Sequence, residues 1–134
     1  AKDAALADAI ARAVRDFDPA LVLFGLAGSE LIRAGRASGL QVANEVFADR
    51  TYQSDGGLTP REQANATIHD ADTAIVQIRR MVAEGRVRSQ QGSDVAVKAD
   101  TLCIHGDAPN AVEFAKRIRT ALDADGIRVA PVSS

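Results

Sequence analysis

The chain has 134 residues, of which 46% are apolar and 25% charged, values of a globular protein rather than a disordered one. Sixteen basic against eighteen acidic residues give a net charge of −2 with no block of like charge, which disfavours a nucleic-acid binder. No apolar run approaches the roughly 20 residues that span a bilayer, so no membrane association is expected and a soluble, cytoplasmic protein is. Cys103 is the sole cysteine, which excludes an internal disulfide framework and a thiolate zinc cluster. The sequence opens Ala-Lys-Asp-Ala-Ala without an initiator Met, which fits either trimming or a piece of a longer protein.

In chain order, residues 3–17 are expected to form a helix whose apolar face is Leu6, Ile10, Val14 and Phe17. Asp18-Pro19 stops it, because the residue before proline is pushed out of helical geometry. The apolar run Leu21–Phe24 has the pattern of a strand buried on both faces. Gly25–Gly28 turns the chain, Ser29 is placed to cap a helix through about Ala37, and Leu40–Val46 is the next strand.

A long polar stretch, Phe47 to about Ile68, follows with turns at Asp55-Gly56-Gly57 and Thr59-Pro60. Loops of this length inside a domain are uncommon and often functional. Asp70 and Asp72 begin a helix with apolar face Ile75, Ile78, Met81 and Val82, ended by Gly85. A small strand is expected at Val95–Lys98 and a firmer one at Thr101–Ile104. Pro109 suits the first turn of a helix that buries Ala111, Phe114, Ile118 and Leu122; Gly126 ends it, and Ile127–Val129 is a last strand. Helices that end in glycine and lead into apolar strands give an α/β fold with a mostly parallel sheet. About four strands is few for a closed barrel, so the chain is a small open sheet or part of a barrel.

Ligands in such folds bind at the carboxyl ends of the strands, and three of these ends carry distinctive residues. Gly25-Leu26-Ala27-Gly28-Ser29-Glu30 could bring backbone N–H groups to an anion but is first of all a tight strand-to-helix turn; it lacks the endings of a Walker loop and of a dinucleotide fingerprint. Glu45, Asp49 and Arg50, with Tyr52 just beyond, put two carboxylates near one guanidinium. They could divide into acid–base group and substrate clamp, or form an ion-pair network pinning the loop. His105-Gly106-Asp107 is the sharpest signal: a histidine at a strand end can carry a proton or hold a metal, and Gly106 lets a ligand approach. Asp107 can orient it or, the favoured reading, cap the next helix. His69 reads as a solvated surface residue and Cys103 as an inert core cysteine.

Five segments, Leu6–Ala11, Gly25–Leu31, Glu45–Arg50, Leu58–Arg61 and Cys103–Asp107, resemble the LamB/YcsF family. The most specific feature is the block Glu-Val-Phe-Ala-Asp-Arg joined to a later Cys-Ile-His-Gly-Asp. The resemblance covers essentially the whole chain, yet family members are about twice as long, and the Asp-Leu-Asn and Lys-Pro-His-Gly motifs of their first half are absent. It implies that residues 1–134 are one segment, the C-terminal half of an irregular β/α (TIM-like) barrel of the glycoside hydrolase and deacetylase type. It further implies a part in an ATP-dependent 5-oxoprolinase, which opens 5-oxo-L-proline to L-glutamate with ATP (and Mg) as co-substrate and with partner subunits B and C. On that basis His105 would transfer protons, Glu45 or Asp49 would act as base or orienting group, and Arg50 or Arg61 would clamp a carboxylate or phosphate. Tyr52 and Asp107 would complete substrate binding. Rival readings are a metal-dependent, deacetylase-like hydrolase and a non-catalytic scaffold for the other subunits. A half barrel would also expose sheet edges, so homo-oligomerisation is a further expectation.

Overall fold

The computed structural model describes residues 2–132. Its order is α1 (Ala4–Phe17), β1 (Val22–Leu26), α2 (Glu30–Ala37), β2 (Gln41–Phe47), α3 (Ala71–Ala83), β3 (Arg86–Arg88), β4 (Asp94–Ala96), β5 (Thr101–Cys103) and α4 (Ala111–Ala124). Strands β1, β2 and β5 form a parallel sheet in that order, and β3 and β4 form an antiparallel hairpin beside it. The parallel α/β architecture expected from the alternation is therefore present. No helix among the described residues is long and apolar enough to cross a membrane.

Alternation along the strands sorts the sheet into two faces. Leu23, Gly25 and Val42 face α2, since a Cβ on Gly35 of that helix would meet the side chains of Val42 and Leu23, and one on Gly25 would meet Ile32. Val46 belongs to the main core with Ile78 and Met81 of α3 and Phe114, Ile118 and Leu122 of α4, and Leu102 and Ile104 pack against it. The helices thus cover one face. The other face carries Phe24, Glu45, Phe47, Thr101 and Cys103, and Phe24 stays exposed there.

Asn44, buried in β2, donates its backbone N–H and its side-chain amide to Asp100 at 2.9 and 2.6 Å, and its carbonyl accepts from Asp100 N–H. Burial opposes the charge on Asp100, but the bonds from Asn44 and the nearby Lys98 ammonium prevail and hold its carboxyl below the ordinary range. This clamp fixes where β5 begins against β2. Gly39, Gly85 and Gly126 follow α2, α3 and α4 with φ of +80°, +64° and +72°, the left-handed endings that glycine makes inexpensive.

Several expectations need correction. The apolar stripe of α1 is not buried: Leu6 is 58% and Phe17 85% exposed, whereas Ala7 and Ala11 form a small-residue seam against Ala34 of α2. Close approach of the two backbones decided the seam, leaving the larger side chains unpartnered. Val82 is likewise exposed on α3. The small strand expected at Val95–Lys98 is one arm of a hairpin whose other arm, β3, follows α3 directly. The last strand, Ile127–Val129, does not form, because a strand needs a paired neighbour. Ile127 packs against the core, and its N–H closes the end of α4 on Leu122 O. Ser29 does occupy the N-cap of α2, but its hydroxyl makes no capping bond and is buried without a partner.

Candidate active site at the strand ends

The register pairs Phe47 of β2 with Cys103 of β5, so Asp49 and His105, each two residues further on, emerge side by side at the carboxyl end of the sheet. The Nδ1 of His105 lies 2.8 and 3.0 Å from the two Asp49 carboxylate oxygens, and the His105 backbone N–H donates to Oδ2 at 3.1 Å. The Asp49 side chain is nearly buried and that of His105 about a quarter exposed. Asp49 thereby fixes the proton on Nδ1 and leaves Nε2 as the free, basic nitrogen. Phe47 stacks on the imidazole, with ring centroids 5.8 Å apart and planes at 22°.

The pair opens into a cleft of about 280 Å³ walled also by Arg50, Arg61, Thr67–His69, Asp107–Ala111 and Phe114. Arg61 is exposed at its rim, and the first turn of α4 faces it from the other side. Asp107 is not a helix cap, since α4 begins at Ala111 with Asn110 in the cap position; Asp107 stands free at the cleft wall. His69 is exposed, as expected, and it also lines the cleft, because the approach to α3 returns to the strand ends, where Ile68 N–H donates to Asp49 O. Nothing local in the sequence signals that return.

Of the remaining residues singled out from the sequence, Arg50 lines the cleft with its guanidinium engaged by the loop, and Tyr52, Glu45 and Cys103 do not line it. Arg50 is buried and donates to Thr59 O at 2.6 Å and Ala66 O at 3.2 Å, so it pins the long loop through backbone carbonyls rather than through an ion pair. Tyr52 is fully buried and does not reach the cleft; its hydroxyl accepts the Phe47 N–H at 2.8 Å. Burial pushes the Tyr52 phenol up to about 12. Glu45 sits inside β2 on the open face and does not line the cleft. Cys103 shares that face; burial first, and then the charges of Glu45 and Asp49, raise its thiol above the ordinary value, which agrees with an inert cysteine.

The model of the LamB/YcsF family matches residues 1–134. The chain belongs to this family. It is 63% identical over 129 residues to the A subunit of 5-oxoprolinase from Geobacillus kaustophilus, covering 96% of this chain and 50% of that protein. It is 60% identical over 133 residues to the A subunit of 5-oxoprolinase from Bacillus subtilis, covering 99% and 52%. The crystal structure of a lactam utilization protein from Thermus thermophilus superposes with a TM-score of 0.85 at 44% identity, over 96% of this chain and 51% of that one. This LamB/YcsF chain thus spans about half the length of the curated relatives it matches.

Proposed function

We propose that this chain forms part of the A subunit of an ATP-dependent 5-oxoprolinase, working with subunits B and C in the cytoplasm to open 5-oxo-L-proline to L-glutamate. The observation that carries the reading is the Asp49–His105 pair at the mouth of a cleft, in a chain whose relatives are named for that activity. A lactam carbonyl is a poor electrophile, and phosphorylation of its oxygen by ATP makes the ring carbon open to attack. His105 Nε2 then takes a proton from the attacking water as its oxygen bonds to that carbon, and returns a proton to the ring nitrogen as the C–N bond breaks; the γ-glutamyl phosphate so formed is hydrolysed by a second water to L-glutamate and inorganic phosphate. Asp49 holds the imidazole in the required tautomer and offsets its charge while it is protonated. Arg61, with Asp107 and His69, which line the same cleft, serves the substrate's carboxylate and amide groups.

No group of three or more His, Cys, Asp or Glu among the described residues is arranged to hold a metal ion. The open face of the sheet, with its exposed Phe24, and the bare stripe of α1 support the further proposal that the chain is half of a β/α barrel. The remaining strands would close that barrel over Glu45 and Phe47.

The test is glutamate formation from 5-oxoproline and ATP by the intact protein assembled with subunits B and C. His105→Ala is expected to abolish it, and Glu45→Ala to leave most of it. Full activity in His105→Ala, with assembly intact, would overturn the catalytic reading and favour a scaffold.

A further inference from the structure

The segment Phe47–Arg50 carries both groups that hold His105: the Asp49 carboxylate and the Phe47 ring. One side chain outside the cleft grips this segment at both ends. Gln77 of α3 donates from its side-chain nitrogen to Phe47 O at 3.1 Å and to Arg50 O at 3.0 Å. Both partners are carbonyl oxygens, so only the NH₂ end of the amide satisfies them, and its two hydrogens are just sufficient. The two carbonyls bracket Ala48 and Asp49, whose own backbone groups are held elsewhere: Ala48 N–H by Cys103 O and Asp49 O by Ile68 N–H. The Phe47 N–H is already taken by Tyr52. Without Gln77 the Phe47 and Arg50 carbonyls lose their shared clamp, and the turn that aims Asp49 at Nδ1 loses its tie to the helix layer.

We infer that Gln77 is a positioning residue for the Asp49–His105 pair, acting through the backbone on either side of Asp49. The inference rests on the proposed catalytic role of that pair only for its effect on turnover, since its structural part concerns the imidazole alone. A side chain that touches no substrate and adjusts a reacting nitrogen should change kcat and leave KM nearly alone. Misplacement of a catalytic group by about 1 Å costs up to about 100-fold in rate.

The decisive variant is Gln77→Met, which keeps the length and removes both donors. A control comes from the neighbouring core position, Ile78→Val or Ile78→Ala, whichever matches its loss in Tm. Histidine-selective ¹⁵N labelling of the intact protein reads the His105 ring nitrogens, assigned by their disappearance in His105→Gln. Gln77→Met is expected to shift those resonances away from a single Nδ1–H tautomer, and to lower kcat about 10- to 100-fold with KM within about twofold. The matched Ile78 variant is expected to change neither. Unaltered ring resonances in Gln77→Met, or equal changes in the Ile78 control, would overturn the inference, because a merely stabilising residue behaves in that way. An assembly inactive with 5-oxoproline even as wild type would count against the proposed function alone, since the ring resonances still decide the role of Gln77.

Discussion

One carboxylate oxygen of Asp49 receives two bonds from the same residue, the backbone N–H and the ring Nδ1 of His105. The main-chain bond fixes where the residue starts and the ring bond fixes which way it points. Asp49→Asn keeps one oxygen that can accept both donors but presents an NH₂ group to the ring in place of the other, so the tautomer is no longer enforced. The expected outcome is a folded protein whose kcat for glutamate formation falls by about 10²- to 10⁴-fold, by analogy with aspartate-to-asparagine changes in Asp–His pairs elsewhere. Circular dichroism and subunit assembly should match wild type, and only the rate should change.

The two strand ends that carry this pair were legible in the sequence, because parallel strands bring their carboxyl ends together and both residues directly follow apolar runs; the pairing itself was not, and Asp107 was the carboxylate read beside His105. Which carboxylate would face the histidine was not legible. Glu45 and Asp49 share a face by parity, but Glu45 lies inside β2 and Asp49 lies two residues past its end, level with His105. Arg50 and Tyr52 looked equally chemical. Their burial follows from the loop closing on itself through Thr51, Thr59 and Ala66, and a sequence pattern does not encode such tertiary closure. The missing final strand has a related cause: Ile127–Val129 has strand composition, and composition does not supply a partner. The α1 stripe also shows that apolar periodicity identifies a face without identifying what covers it.

Alkaline stability should depend on Tyr52. Its phenol titrates at about 12 when folded, because burial disfavours the phenolate, against about 10 in an unfolded chain. The folded pKa is the higher one, so the stabilisation is fully present below a pH of about 10 and is lost as pH rises towards 12. Tyr52→Phe removes this loss but leaves the Phe47 N–H without its acceptor, at a cost of about 1–3 kcal/mol. Urea denaturation at pH 8 and above pH 10 should therefore show the variant clearly weaker at the lower pH, with the gap narrowing at the higher.

Cys103 should resist modification in the native protein. Its thiol is raised by burial and by the carboxylates of Glu45 and Asp49, so little thiolate is present at pH 7.5. Iodoacetamide is expected to label it slowly in the folded protein and quickly in urea. Labelling of the native protein as fast as that of free cysteine would show that the open face of the sheet does not shield this position.

Gly35 sets the distance between α2 and the sheet. Two general effects oppose each other at this position, and the geometry decides between them. Replacing a mid-helix glycine by alanine ordinarily gains about 1 kcal/mol through helix propensity. Here the new Cβ would lie 2.7 Å from Val42 Cγ1 and 2.9 Å from Leu23 Cδ2, both inside ordinary contact. Those atoms belong to short, branched side chains packed between helix and strand, so relief requires the helix to lift or the rotamers to leave their wells. Overpacking of this kind costs about 1–3 kcal/mol, which outweighs the propensity gain. Gly35→Ala should therefore lower Tm by a few degrees. Gly35→Ala combined with Val42→Ala should recover the part due to the closer clash, because the space freed at Val42 accepts the new methyl group. Differential scanning calorimetry of the two single variants and the double variant checks this, and simple additivity of their effects would show that the clash is not the cause.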